Sequence, residues 1–194
     1  MRNAFLSICL LICLSSTCYG LQIAPPWDDW TFPHVDGDVG VLIIPPDDIA
    51  AVFVPSDGWQ FLAGHDFDSA ERAETRNGTQ LRMDITVVAS EWTMSSGWVR
   101  PIDMIVVQSP SNWWQEIVPV QEWIWDGQAD ETRTMLFNIP AQGDVSLLNL
   151  TLYTNRGMTE QAGLIYLHNA YLVPEPITAA LLGLGSLMLI RRKK

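Results

Sequence analysis

The chain has 194 residues, 22 acids against 11 lysines and arginines, and a formal net charge of −11. Six of those cations lie between residues 21 and 173 and the rest sit in the two ends, so the middle alone carries −15 and is a poor partner for nucleic acid or anionic lipid. That middle is one ordinary domain in length, and its hydrophobic content must build the core without disulfides, because Cys9, Cys13 and Cys18 all fall in the first 20 residues.

Residues 1–20 read as a signal peptide. Met1-Arg2-Asn3 is a short positive region, Ala4 to Leu14 is apolar, and Cys18 and Gly20 are small enough for cleavage after Gly20. A lipoprotein signal acylated at Cys18 is the alternative, against which Ser15-Ser16-Thr17 makes a poor lipobox. Residues 21–48 follow as a loop-rich lead-in with Pro25-Pro26, Trp27-Asp28-Asp29-Trp30, Asp36-Gly37-Asp38 and Pro45-Pro46-Asp47-Asp48. Within and after it, Val39 to Ile44 and Ala51 to Val54 read as strands.

From there the pattern is β. Leu81 to Ala89 alternates apolar and polar residues with β-branched side chains, and Ile102 to Gln108, Trp123 to Asp126, Thr134 to Ile139, Val145 to Tyr153 and Leu164 to Val173 read similarly. In the fifth run Leu148, Leu150 and Leu152 share one face while Asn149, Thr151 and Tyr153 share the other. Turn chemistry at Asn77-Gly78, Ser109-Pro110, Asp126-Gly127 and Asn155-Arg156-Gly157 separates the runs. Ser69 to Arg76 reads as a short helix or a loop. The expected fold is all-β, an antiparallel β-sandwich of jelly-roll type, formed by residues 21–173.

Residues 174–194 have a different character. Val173-Pro174-Glu175-Pro176 breaks regular structure, Ile177 to Ile190 carries no charge, and Arg191-Arg192-Lys193-Lys194 is basic throughout. As a helix the apolar run would be about 21 Å long against a hydrocarbon core of about 30 Å. A run of that length is often a core helix; its uncharged character and the flanking cations, which can snorkel, favour a single transmembrane helix. This ending resembles the PEP-CTERM sorting signal of Gram-negative bacteria. The resemblance implies an exported protein held in the inner membrane through its C-terminal helix and cut near the Pro-Glu-Pro by an exosortase-type enzyme. Release to the cell surface or extracellular matrix would follow.

A second resemblance is more diffuse. Gly163-Leu164-Ile165-Tyr166-Leu167-His168-Asn169-Ala170-Tyr171-Leu172-Val173 looks like the closing strand of galactose-binding-like jelly rolls, carbohydrate-binding modules among them. Trp98-Val99-Arg100, Ile102 to Ser109 and Trp113-Trp114-Gln115 resemble their middle strands. His168 departs from that group, which commonly has Asp there, and so weakens any calcium or turn bond the Asp would serve.

All nine tryptophans fall between residues 21 and 173. Indole faces stack on the C–H faces of sugar rings, so Trp113, Trp114, Trp123 and Trp125 are the candidate glycan contacts, with core packing as the alternative for each. Alternation expects only one of Trp113 and Trp114 to enter the core, and places Trp123 and Trp125 on a common face. Trp27 and Trp30 form a second candidate platform.

No catalytic residues are expected. Glu116 and Glu122 on one strand would stand about 20 Å apart, against about 5–9.5 Å for a working glycosidase pair. No nucleophile elbow, zinc-protease or phosphate-loop motif occurs. No metal site or cofactor is assigned. Structural calcium on the acid-rich stretch from Asp28 to Asp68 stays open, and His65-Asp66-Phe67-Asp68 reads as a solvated acidic loop before it reads as a ligand set. The functional expectation is a non-catalytic exported protein that binds extracellular polysaccharide through tryptophan faces. The alternative is a structural matrix protein without a dedicated ligand.

Overall fold

A computed structural model describes residues 20–32, 34–35, 38–39, 41–44, 49–54, 60–94, 97–142, 147–154 and 161–174. Its strands are β1 (Leu21–Ala24), β2 (Trp30–Thr31), β3 (His34–Val35), β4 (Asp38–Val39), β5 (Val41–Ile44), β6 (Ile49–Val54) and β7 (Gln60–Asp66). After a helix α1 (Ser69–Glu74) and a 3-10 turn, β8 (Thr79–Val87), β9 (Thr93–Met94), β10 (Met104–Ser109), β11 (Asn112–Ile117), β12 (Glu131–Ile139), β13 (Asn149–Thr154) and β14 (Gln161–Pro174) follow.

These strands form two antiparallel sheets around one core. The larger runs β12-β8-β14-β6-β5, with β1 and β9 also paired to β14; the five-stranded one runs β11-β10-β13-β7-β2; β3 and β4 form a small hairpin. One face of each sheet builds the shared core. Leu81, Met83, Ile85 and Val87 of β8 and Met135, Phe137 and Ile139 of β12 meet Ile105 and Val107 of β10 and Leu150 and Leu152 of β13. Each such buried side chain contributes roughly 1.5–3 kcal/mol, which replaces the disulfides the domain lacks.

Strand β14 is the spine of the larger sheet. Ile165 and Leu167 face the core, yet so do Ala170 and Leu172, which strict alternation forbids. A bulge resolves this: Leu167 pairs with Ile85 and Asn169 with Asp84, leaving His168 as the extra residue that resets the phase. The His168 Nε2 lies 2.8 Å from Thr86 Oγ1. The residue that departs from the jelly-roll pattern thus occupies a structural kink.

The lead-in is more ordered than expected. Strand β1 pairs with β14 and β2 with β7, so the segment touches both sheets, and Trp27 and Trp30 are buried against the core. Apolar area explains the change, since two indoles outweigh the loop-forming prolines around them. The expected strand over Trp123 to Asp126 reduces to one bridge between Trp125 and Val99. Helix α1 forms because Asp68 and Glu71 make a reciprocal capping box.

Strand β14 reaches Pro174, and the Thr79 hydroxyl donates to the Val173 carbonyl at 2.9 Å. Val173 and Pro174 therefore belong to the sheet as well as to the Pro-Glu-Pro break. Glu175, Pro176, the apolar run from Ile177, the basic cluster Arg191 to Lys194 and residues 1–19, read above as most of a signal peptide, lie outside the described residues. Among the described residues no helix is long and apolar enough to cross a membrane.

Candidate functional site

The outward faces of the two sheets differ in what they offer. On the seven-stranded sheet, polar side chains satisfy one another: Thr86 with Thr132 at 2.7 Å, Thr134 with Asp84 at 2.6 Å, Gln80 with Asn138 at 2.8 Å. The Tyr166 hydroxyl donates to Glu91 at 2.7 Å. Burial and the adjacent Glu91 carboxylate, which accepts a hydrogen bond from the phenol and repels the phenolate, push the Tyr166 pKa up to about 12. That surface is hydrogen-bonded across its strands and carries no aromatic stack among the described residues.

The five-stranded sheet differs at its β11 edge. Gln115 pairs with Val107 and Asn112 with Ser109, so Trp113 and Trp114 together oppose the single residue Gln108. This is a β-bulge, which turns side chains out of strict alternation. Both indoles consequently leave the core, Trp113 at 66% and Trp114 at 46% exposure. The expectation that one of the pair would pack inward is corrected by the bulge and by the position of β11 at the sheet edge. Local bonds hold the distortion: Ser109 Oγ accepts from Asn112 N–H at 3.1 Å, and Asn112 Oδ1 accepts from Trp114 N–H at 3.1 Å.

Trp114 is fixed in orientation. Its indole N–H donates to Glu116 Oε1 at 2.9 Å, and its ring meets that of Tyr153 at 5.8 Å with planes inclined by 55°. Val106 is opposite Glu116 on one side and Thr151 on the other. Trp114 and Tyr153 lie two residues along from those neighbours at diagonal corners, so rings in contact must close over Val106. The burial of Val106 on an outward face agrees with that. Burial also raises the Tyr153 phenol above its ordinary pKa. Beside this ridge Asn149 Nδ2 donates to Gln108 Oε1 at 2.8 Å, and the Asn149 Oδ1 is buried without a partner.

The other candidate pair has the opposite fate. Trp123 and Trp125 share a face, as the alternation requires, and that face is the core: they are 1% and 0% exposed. Trp123 Nε1 donates to Glu131 at 2.9 Å and Trp125 Nε1 to the Ala129 carbonyl at 2.8 Å, so each buried N–H has its acceptor. Neither presents a face to a ligand, and they leave the candidate set as a correction. Trp27 and Trp30 leave it for the same reason.

The remaining polar candidates are absorbed structurally. The Arg100 guanidinium stacks 4.8 Å over Trp98 and pairs with Glu122 and with Asp103, while Glu116 holds Trp114. His65 turns inward, 2.9 Å from Glu71 and stacked on Trp30, whereas Asp66 faces out and Asp68 caps α1. The tetrapeptide His65 to Asp68 thus diverges. Among the described residues no group of three or more His, Cys, Asp or Glu is arranged to hold a metal ion. Asp36, Asp47 and Asp48 lie outside them.

Tyr153, Gln108 and Asn149 were not singled out from sequence as site residues, although the alternation Asn149-Thr151-Tyr153 had placed two of them on the face opposite Leu148, Leu150 and Leu152. What joins them to Trp114 is strand order, which no local pattern encodes.

No family model matches this chain, and no curated protein matches it. Among solved structures, the carbohydrate-binding module TmCBM27, described in a dissection of specific mannan recognition, is similar over 77% of this chain and 91% of its own, with 14% identity and a TM-score of 0.40.

Proposed function

We propose that this chain is an exported, non-catalytic protein of the cell surface or extracellular matrix that binds polysaccharide through the Trp113–Trp114 edge and the outward face of the five-stranded sheet. One observation carries this reading: two adjacent tryptophans are turned out of the fold by a bulge, and one of them is locked by Glu116 and Tyr153. A fixed, exposed indole loses little entropy when a sugar ring stacks on it, which makes it an effective anchor. Export rests on the signal-peptide character of residues 1–20. Sorting rests on Val173-Pro174-Glu175-Pro176, the apolar run and Arg191-Arg192-Lys193-Lys194, with an exosortase-type enzyme as processing partner and the inner membrane as transient anchor.

Affinity electrophoresis in gels containing the host's extracellular polysaccharide tests the binding half. Retardation of the wild-type chain that is lost in Trp114→Ala is the expected result; equal retardation of both would remove the site. The sorting half is tested by ending the chain at Pro174, which is expected to send the protein to the medium. Retention in the membrane fraction would contradict the anchor. A matrix protein without a dedicated ligand is the second reading, favoured by the burial of Trp27, Trp30, Trp123 and Trp125. A folded chain that no host polysaccharide retards would select it.

A further inference from the structure

The last residues of β14 lie inside a sheet rather than on its rim. Tyr171 pairs with Arg82 of β8 on one side and Gln22 of β1 on the other, and Leu172 pairs with Leu81 and Leu21 in the same way. Val173 and Pro174 continue the ladder against Gln80 and Thr79, and those two residues pair in turn with Asn138 and Ile139 of β12. In the unprocessed chain Gly20 backs the other side of Val173, so closely that a Cβ on it would lie 2.7 Å from Val173 Cγ2. Side chains lock this register. The hydroxyl of the buried Thr79 donates to the Val173 carbonyl at 2.9 Å, and the Gln80 amide donates to Asn138 Oδ1 at 2.8 Å. Leu172, Leu81 and Ile139 are all core residues. Pro174, which has no amide N–H to give, ends the ladder.

From this we infer that the sandwich itself sets the inner limit of tail processing: the enzyme that removes the C-terminal segment cuts beyond Pro174, and the released protein keeps Val173 and Pro174 as the last rungs of β14. The inference rests on the sorting reading proposed above and adds which bonds are closed to the processing enzyme. A nucleophile that cuts a chain has to reach the scissile carbonyl carbon, and the chain is gripped as an extended strand through its backbone edges. Tyr171 and Leu172 already have a strand on each side. The carbonyl attacked in cutting Val173–Pro174 is the one the Thr79 hydroxyl holds. Freeing it would peel β14 from β8, uncover Leu172 and Leu81, and leave a buried hydroxyl without its acceptor. Val173 and Pro174 therefore serve the fold, although the sequence groups them with the break that follows.

The test expresses the full-length chain in its host, collects the form released to the medium, and reads its last residue from intact mass and the C-terminal peptide. Every released species is expected to contain Pro174. Released chains that end at Val173 or earlier would overturn this inference and leave the sorting reading standing. A chain that keeps its tail, with none released, would overturn both. A second measurement is independent of the host enzyme. Chymotrypsin acting on the full-length chain in detergent is expected to cut after Tyr171 or Leu172 at least about a hundredfold more slowly than it does in urea, because cutting must await local opening of the sheet. Cutting there at comparable rates in both conditions would overturn the inference.

Discussion

Trp113–Trp114 and Trp123–Ile124–Trp125 lie within thirteen consecutive residues and use the same side chain, yet one pair projects from the sandwich and the other is sealed inside it. Backbone register makes the difference. Trp113 and Trp114 stand together opposite Gln108 in a bulge on β11, the terminal strand of its sheet among the described residues. Trp125 exchanges both backbone hydrogen bonds with Val99, at 2.8 and 2.9 Å, which pins the segment across the core and turns both indoles inward. An aromatic pair is therefore a surface or a core feature according to its partner strand, not its composition.

The largest way to break this contrast is to truncate the sealed pair. Trp125→Ala should cost about 3–5 kcal/mol in denaturant unfolding, since it leaves a large cavity in a close-packed interior. A cost under about 1 kcal/mol would mean that Trp125 is not the packing element described. The contact between Gly163 and Trp92 comes next. A Cβ on Gly163 would meet the Trp92 ring at 2.2 Å, and the same indole donates to the Leu164 carbonyl at 2.9 Å. Gly163→Ala should therefore destabilise by about 1–3 kcal/mol, readable as a lower midpoint in the same titration. Trp114→Ala should do the reverse of Trp125→Ala, changing stability by about 1 kcal/mol or less while removing polysaccharide retardation.

The smallest expected effect is a titration. The Tyr166 phenol is raised from 10 to about 12 in the fold, so the folded state holds its proton more tightly than the unfolded chain does. Its contribution is fully present below pH 10 and is lost as pH rises toward about 12, because the unfolded state gives up the proton first. Absorbance at the phenolate band should show one tyrosine ionising about two units late, and Tyr166→Phe should delete that step. An unshifted titration would place the Glu91 bond in doubt.

The sandwich was legible in the sequence because alternation and turn residues are local. The runs beginning at Leu81, Ile102, Thr134 and Leu164 each overlap an observed strand, with ends that differ by up to three residues. Where the reading failed, a non-local or phase-breaking feature was responsible. Alternation predicted one inward tryptophan from Trp113–Trp114, but a bulge adds a residue that alternation cannot count. It placed Trp123 and Trp125 on one face without saying which face, since that depends on the Val99 bridge 26 residues upstream of Trp125. The Gln60–Asp66 strand was missed because its end, in His65-Asp66-Phe67-Asp68, reads as a solvated acidic loop; its pairing with β13 overrides that local signal. Asp68-Ser69-Ala70-Glu71 carried its capping-box signature openly and could have settled the helix. Tyr153 joined the site only through the strand order β11-β10-β13.

The indole N–H resonances of the full-length chain, labelled with ¹⁵N and titrated with the host's extracellular polysaccharide, test the central claim most directly. Each tryptophan reports separately, and assignments follow from single Trp→Phe variants. The account expects the Trp114 signal to move saturably, with Trp113 following, while the Trp123 and Trp125 signals stay fixed. Movement of the sealed pair with Trp114 unmoved, or no movement at all in a folded chain, would contradict it.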